Sequence, residues 1–261
     1  MNESTVKYMA GLLDADGSLS LMFRKHGSGT YLALRLTLTS SDAVDRHGFV
    51  ENLPNTLGMG TAHRYGKNQQ FITWTVAKRA DLEMILPRLI KHMLIKATHW
   101  QWLLDVWREH RGQSVDDDKV QALKDQSKFS RSVSGPLKPK NYPTWAWMAG
   151  FMDGDGYYTC RRNRPPRDTW AMRIGCVIHR NDRHVLELIQ KAYGGKIVEH
   201  GQSPSCLCWY RNAGVSESSF VLSFLSKMAR FSMLKRRKID HMIHIHQQRL
   251  SISTSAEEAT V

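Results

Sequence analysis

Two aspartates, Asp16 and Asp155, each stand one residue before a glycine at the end of nearly the same nine-residue stretch. Residues 9–17 are MAGLLDADG and residues 148–156 are MAGFMDGDG, so the pattern returns after 139 positions. Small residues allow helix backbones to approach closely, and the glycine indicates a helix end. Two such helices packed together would present a pair of carboxylates at one place. Paired carboxylates favour a divalent metal and metal-assisted hydrolysis of a phosphodiester.

The segments after the two motifs also correspond, which indicates an internal duplication. Strict alternation of apolar residues predicts a strand with one core face and one exposed face in each half. The core positions are Leu32, Leu34, Leu36 and Leu38, and in the second half Trp170, Met172, Ile174, Cys176 and Ile178. Asp42 and Asp182 are then predicted as helix N-caps, with Gly58 and the pair Gly194-Gly195 ending those helices.

The chain length suits two domains of about 110 to 120 residues, each large enough for its own core. The sequence predicts an N-terminal half-domain at 1–112, a linker at 113–141, a C-terminal half-domain at 142–250 and a flexible tail at 251–261. The linker is indicated by an acidic, helix-capable stretch around 116–118, followed by a segment rich in Ser, Gly and Pro at 132–139.

The charge balance indicates a polyanionic partner. The 261 residues include 37 Lys and Arg against 24 Asp and Glu, a formal charge of +13. Nucleic acid is favoured over a membrane because no basic amphipathic helix, lipidation signal or membrane-length apolar run stands out. The chain opens directly into the first motif helix, so we expect no signal peptide.

The four cysteines all lie in the second half, without the spacing of a secreted disulfide scaffold, and predict an intracellular, reducing compartment. Cys206 and Cys208 near His200 do not have the usual spacing of a zinc site.

Both nine-residue stretches resemble the signature of the LAGLIDADG homing endonucleases, in the form that has two copies on one chain. Met9 and Met148 stand where that family usually has leucine. The resemblance implies an α+β fold of two pseudo-symmetric αββαββα half-domains that form a DNA-binding saddle. It also places the motif helices at the interface between the halves, where the small residues Ala10, Gly11, Ala149 and Gly150 would lie.

By the same resemblance, Asp16 and Asp155 are the catalytic metal ligands, with Ala15 and Gly154 beside them in the metal site. Two carboxylates at helix C-termini face the negative ends of the helix dipoles, which is unfavourable unless a cation compensates. Mg²⁺ suits such an oxygen site, with Mn²⁺ as a substitute. Asp14 and Asp153 are expected to form structural hydrogen bonds rather than to bind metal.

The resemblance also places a basic residue, Lys96 or Lys235, where it would support the hydrolytic water or the developing charge on phosphate. The alternative is an exposed lysine on a basic helix. The water-positioning site falls at Ser40 in the first half. Its counterpart is Arg180 if Asp42 and Asp182 are aligned, or His179 if the 139-residue offset is kept. Arg180 is favoured because matching Leu38 with Ile178 gives an offset of 140, so the two catalytic pockets are expected to differ.

The exposed strand faces and basic loops are expected to contact DNA. Arginine can pair bidentately with guanine in the major groove, which a two-stranded ribbon can enter. For each residue the alternative is a phosphate contact or a solvated charge. The candidates are Met22, Arg24, His26, Arg35, Thr37, Arg64, Lys67, Arg161, Asn163, Arg173 and Arg211.

Together these features predict a monomeric, sequence-specific endonuclease associated with mobile introns. It would bind a long, pseudo-symmetric double-stranded DNA site and hydrolyse both strands across the minor groove. One alternative is an RNA maturase that assists splicing of intron RNA on the same scaffold. Another is a DNA-binding regulator without cleavage, which we would expect to have lost Asp16 or Asp155; this chain has both.

Overall fold

The computed structural model describes residues 1–27, 29–45, 48–132, 135–136, 142–162, 170–213 and 218–258. The first half contains α1 (Glu3–Asp16), β1 (Gly17–His26), β2 (Gly29–Ser41), α2 (Phe49–Leu57), β3 (Thr61–Tyr65), β4 (Phe71–Val76), α3 (Arg79–Ile90) and α4 (Ala97–Glu109). A short strand, β5 (Ser114–Val115), and α5 (Asp117–Ser132) follow. The second half contains α6 (Trp145–Gly154), β6 (Gly156–Arg162), β7 (Trp170–His179), α7 (Arg183–Tyr193), β8 (Lys196–His200), β9 (Ser203–Ala213), α8 (Ser218–Ala229) and α9 (Arg236–Glu258).

The two halves have the same order of elements and the same strand pairing. Their antiparallel sheets have the orders β1-β2-β4-β3 and β6-β7-β9-β8. In the first sheet Leu38 lies opposite Gly17 and Trp74, and in the second Cys176 lies opposite Gly156 and Trp209. The predicted α+β fold with two pseudo-symmetric halves is therefore confirmed.

The alternating strands have the predicted core faces. Leu34, Leu36 and Leu38 of β2 are buried, as are Met172, Ile174, Cys176 and Ile178 of β7. Leu32 is half-buried against the core, and the side chain of Trp170 lies outside the described residues. The equivalent tryptophans of the next strands close each core and keep their indole N–H groups paired. Trp74 donates to the Met59 carbonyl at 3.1 Å and Trp209 to the Gly194 carbonyl at 2.8 Å. Each sheet thus has one face packed under helices, which leaves the other face for solvent or a ligand.

One predicted N-cap is wrong. The Asp45 carboxylate accepts hydrogen bonds from the amides of Phe49 and Val50 at 2.6 and 2.9 Å, so Asp45 fixes the start of α2. Asp42 instead forms an ion pair with Arg64. Asp182 directly precedes α7 as predicted, but its side chain forms no capping hydrogen bond.

The helix-ending glycines are confirmed. Gly58 and Gly194 follow the last residues of α2 and α7 with φ of 68° and 69°, a conformation that favours glycine.

Much of the predicted linker packs on the first half. Strand β5 pairs with β2 at Thr30 and Tyr31. Helix α5 contacts α4 through a hydrogen bond of 2.7 Å between the His99 ring and the Ser130 hydroxyl. Helix α9 includes residues 251–258 of the predicted tail. The limits of the half-domains and the flexibility of the tail stay predictions.

Within the described part of the chain, no helix has the length and apolarity needed to span a membrane.

The motif helices α1 and α6 pack in direct backbone contact. A Cβ atom added to Gly11 would collide with the carbonyl group of Trp147, and one added to Gly150 would collide with the carbonyl group of Tyr8. Ala10 and Ala149 are both completely buried. The glycines are therefore required by the approach of the opposite helix rather than by their own backbone conformation.

Gly11→Ala and Gly150→Ala should each destabilise the protein by at least about 2 kcal/mol, because a methyl group against a backbone carbonyl forces the helices apart. Denaturant unfolding measures the change. Gly201→Ala is the control, since a Cβ at Gly201 meets nothing within 4 Å. Stabilities for all three variants within about 0.5 kcal/mol of the parent would contradict the close contact.

Candidate active site

The tips of the two motif helices bring Asp16 and Asp155 together. Asp16 is the last residue of α1, and Asp155 directly follows α6. A Cβ added to Gly154 would lie 2.9 Å from Oδ2 of Asp16, so the Asp16 carboxylate lies against the end of the other motif helix. The proximity of the two carboxylates, predicted from the duplicated motif, is present in the structure.

The electrostatics of this pair favour a bound cation. Partial burial and the neighbouring Asp16 charge raise the pKa of Asp155 to about 6. Desolvation by the surrounding protein also raises the pKa of Asp16. Lys96 and Lys235 oppose both shifts without cancelling them. Since two negative charges at this place are costly, a metal ion bound there would relieve both the desolvation and the repulsion.

Each lysine caps the motif helix of its own half. The Lys96 ammonium donates to the carbonyls of Leu13, Ala15 and Gly17 at 3.0, 2.9 and 2.9 Å. The Lys235 ammonium donates to those of Met152, Gly154 and Gly156 at 3.0, 2.8 and 2.6 Å. An ammonium has three N–H donors, so each lysine uses all of them on carbonyls at the end of its motif helix and the start of the following strand.

These contacts bear on the predicted role of the two lysines, which is to support the hydrolytic water or the developing charge on phosphate. The positive charge lies at the negative end of the helix dipole, and it lowers the pKa of the neighbouring Asp16 and Asp155 carboxyls. Direct donation to water or phosphate would require a carbonyl contact to be given up. The carbonyls of Ala15 and Gly154 each retain one lone pair, and their predicted place in a metal site stays a prediction.

The structural role predicted for Asp14 and Asp153 is confirmed. The buried Asp14 carboxylate accepts hydrogen bonds from the amides of residues 94, 95 and 96 at 2.7, 3.2 and 2.9 Å. Asp153 accepts those of residues 233, 234 and 235 at 2.7, 3.0 and 3.2 Å. We call residues 94–96 and 233–235 the lysine turns. The motif aspartate of each half fixes the lysine turn of that half, and the lysine turn fixes the backbone of its lysine.

The carboxylates and lysines are arranged in a crossed fashion. The charge of Lys235 lowers the pKa of Asp16 more than that of Lys96 does, and for Asp155 the order is reversed. The pKa of each of these two aspartates is therefore lowered most by the lysine of the other half. The end of β7 shows the same crossed arrangement. His179 and Asp182 of the second half line a cavity of about 370 Å³ together with Lys96 of the first half.

The alignment that matched Ser40 with Arg180 is wrong. Since Leu38 and Cys176 hold equivalent positions, the counterpart of Ser40 is the buried Ile178. Arg180 lies in a short 3₁₀ turn after β7 and is exposed, with its guanidinium 2.8 Å from Glu199. The error is a shift of two residues, which leaves an alternating pattern unchanged and cannot be detected from it. The water-positioning roles of Ser40, Arg180 and His179 stay predictions.

The first sheet gathers five of the predicted DNA contacts on one face. Cross-strand pairing places Met22, Arg24, His26, Arg35 and Thr37 on the side of β1 and β2 opposite the core. Lys67 lies in the turn between β3 and β4.

Sequence reasoning missed an exposed aromatic pair on the same face, Tyr65 and Phe71, whose rings stack at 5.4 Å. The alternation of Ile72, Trp74 and Val76 on the core side could have revealed it, because Phe71 lies out of phase with them.

The second sheet presents Arg173 on its exposed face. The Arg173 guanidinium lies 4.5 Å from the centroid of the Tyr210 ring, and its Nε donates to Asn212 at 3.0 Å. The backbone of Arg161 pairs with that of Ala171 in β6 and β7. Asn163 lies outside the described residues.

Arg64 and Arg211 are not brought to these faces, so their prediction as strand-face DNA contacts is corrected. Arg64 lies opposite the buried Ile72 and forms ion pairs with Asp42 and Glu51 at 2.7 and 2.8 Å. Arg211 lies opposite the buried Ile174, where its guanidinium donates to the Tyr193 carbonyl and covers the Phe220 ring. Both arginines lie on the helix side of their sheets because the strand register places them opposite core residues.

No protein-family model matches the chain, and no curated protein matches it in sequence. Solved structures, in contrast, are similar to the chain in fold. The homing endonuclease I-GzeII in complex with its DNA target is similar with a TM-score of 0.77 at 14% identity, over 97% of this chain and 92% of that one. I-SmaMI bound to cleaved DNA gives 0.72 at 15% identity, over 97% and 91%. I-SmaMI on uncleaved DNA with calcium ions gives 0.69 at 17% identity, over 95% and 92%. With its paired motif helices, the chain therefore has the LAGLIDADG homing endonuclease fold, with both motifs on one polypeptide.

Proposed function

We propose that the protein is a metal-dependent, sequence-specific DNA endonuclease that hydrolyses both strands of its target across the minor groove. The observation that carries this proposal is the pair of carboxylates at the helix tips, each flanked by a lysine whose charge is fixed beside it. The similarity to enzymes described in complex with DNA targets supports the same activity. An intracellular, reducing compartment and a monomeric state belong to the same proposal.

Asp16 and Asp155 would hold the metal. These are two carboxylates, and no group of three or more His, Cys, Asp or Glu side chains that could hold a metal ion is present among the described residues. That suits Mg²⁺, which binds through one or two carboxylates and completes its shell with water and substrate phosphate. Mn²⁺ is the expected substitute. When bound, the metal would supply charge neutralisation at the phosphate and a more acidic water.

The protein's own residues contribute positioning and charge. Lys96 and Lys235 hold the helix ends rigid and add positive potential where a scissile phosphate would lie, which favours in-line attack by water on phosphorus. Their burial lowers the pKa of both lysines, while the neighbouring aspartates oppose that shift.

The two exposed sheet faces would bind successive major grooves of a long, pseudo-symmetric double-stranded site. The faces differ, because the first carries Arg24, Arg35 and the Tyr65–Phe71 pair and the second the Arg173–Tyr210 stack. We therefore infer that the two half-sites differ in sequence. For any single side chain, a phosphate contact is the alternative to base recognition.

Retention of both Asp16 and Asp155 favours cleavage over a DNA-binding protein without activity. Both lysines are also in place at the tips. No observation on the described residues favours intron RNA as a partner, so the maturase alternative has no support beyond the resemblance of the motifs.

Asp16→Asn and Asp155→Asn should each reduce cleavage at least about 100-fold and leave DNA affinity unchanged or higher, because each removes a metal ligand and a charge that repels phosphate. Target sites would first be selected from a randomised duplex library by cleavage in Mg²⁺. Asp125→Asn is the charge-matched control, because Asp125 is exposed on α5 and accepts hydrogen bonds from Gln121 and Lys128. Binding is measured in Ca²⁺ and cleavage on supercoiled plasmid, which separates nicked from linear products. Full double-strand cleavage by the Asp16→Asn, Asp155→Asn double variant would disprove the proposed site.

DNA binding should weaken steeply with salt, because the +13 charge implies many phosphate contacts. Neutralisation of several phosphates predicts a loss of affinity on the order of 10³-fold between about 50 and 200 mM salt. Titrations of a labelled duplex across this range measure the slope of log K against log salt. A slope near zero would show that phosphate contacts do not dominate.

A further inference from the structure

The structural aspartate of each motif also receives one hydrogen bond from the opposite half of the protein. The Tyr8 hydroxyl, from α1, donates to Oδ2 of Asp153 at 2.8 Å. The Trp147 indole N–H, from α6, donates to Oδ2 of Asp14 at 3.0 Å. Both donors are buried, and each directly precedes the methionine that begins its motif. The two bonds are therefore equivalent under the internal symmetry, although the donors differ in chemistry.

The acceptors of these bonds are the groups that fix the lysine turns. Asp153 binds the amides of residues 233–235, and the Ser232 hydroxyl donates to it at 2.6 Å. Asp14 binds the amides of residues 94–96. Tyr8 of the first half thus contacts the anchor of Lys235, and Trp147 of the second half contacts the anchor of Lys96.

We propose that Tyr8 and Trp147 are positioning residues, and that each one fixes the lysine turn of the other half through its hydrogen bond to the motif aspartate. The effect on catalysis rests on the proposed endonuclease function, whereas the effect on the turns does not. A buried carboxylate binds donors strongly, and each donor also fixes the position of the carboxylate. Loss of the donor from the opposite half leaves the carboxylate, and the turn whose amides it binds, less restrained. Asp153 and Asp14 each keep three amide donors, and the fold is expected to survive the loss.

Tyr158 offers a matched control for Tyr8→Phe, because it is also a buried tyrosine near the Asp153 carboxylate. Tyr158 is completely buried, and the charge of Asp153 contributes to raising its pKa. Its hydroxyl has no hydrogen-bond partner among the described residues. Tyr158→Phe therefore removes the same kind of buried hydroxyl as Tyr8→Phe, near the same carboxylate, but without breaking a bond to the aspartate.

The first test measures amide hydrogen exchange by NMR on the full chain without DNA or metal. Tyr8→Phe should accelerate exchange in residues 233–235 at least about tenfold and leave residues 94–96 at the parent rate. Trp147→Phe should show the reverse pattern, and Tyr158→Phe should change neither turn. Equal acceleration in both turns, or no difference between Tyr8→Phe and Tyr158→Phe, would overturn the proposal.

The second test uses strand-specific cleavage, with Lys96→Gln and Lys235→Gln to identify which strand depends on which lysine. Each strand is labelled separately, and both nicking rates are measured. Tyr8→Phe should slow the strand that Lys235→Gln slows, and Trp147→Phe the strand that Lys96→Gln slows. A loss of general stability would slow both strands alike and would overturn the assignment. If the parent protein cleaves no DNA, the proposed function fails, while the exchange experiment still decides the positioning role.

Discussion

The direct backbone contact between α1 and α6 is the constraint on which the rest of the structure depends. Gly11 and Gly150 allow each helix to lie against a carbonyl of the other. A wider separation would carry Asp16 away from Gly154 and would break the hydrogen bonds that Tyr8 and Trp147 donate across the interface. The distance between the helices therefore sets both the spacing of the carboxylates and the position of the lysine turns.

The helix tips combine two unfavourable features that the lysines make tolerable. Helix C-termini carry unpaired carbonyls and negative partial charge, and here each tip also carries a carboxylate. Lys96 and Lys235 satisfy three carbonyls each and place a full positive charge at the same point. Without a metal, these two ammonium groups oppose the repulsion between Asp16 and Asp155 without cancelling it.

The sequence predicted the paired motifs, the core faces of β2 and β7 and the helix-ending glycines, because each depends on residues close together in the chain. It could not predict the correct partner of Ser40. Motif and lysine are 82 residues apart in both halves, yet the equivalent Trp74 and Trp209 are only 135 apart. The halves differ in the length of their inner segments, and these differences cancel before the lysine is reached. The offset between the halves is therefore the same at the motifs and at the lysines, which conceals the differences between these points.

For a related reason, the sequence did not show on which side of its sheet Arg64 or Arg211 lies. A strand's parity is defined by its pairing with a neighbour. Strand β3 contains too few apolar residues to indicate it, and β9 contains an unbroken apolar run at 206–210 that makes both of its faces apolar. The carbonyl contacts of Lys96 and Lys235 also depend on the tertiary structure, since no local pattern distinguishes a lysine that caps a distant helix from one in solvent.

Attachment of β5 and α5 to the first half makes the two halves unequal in their backbone as well as in their side chains. The first sheet gains a short strand beside β2, and the second sheet has no counterpart among the described residues. A symmetric dimer would present the same outline in both directions along a duplex. The outline of this chain differs between the two directions, because β5 and α5 pack on the first half. A duplex laid across the paired faces would therefore meet a different protein edge if it were reversed.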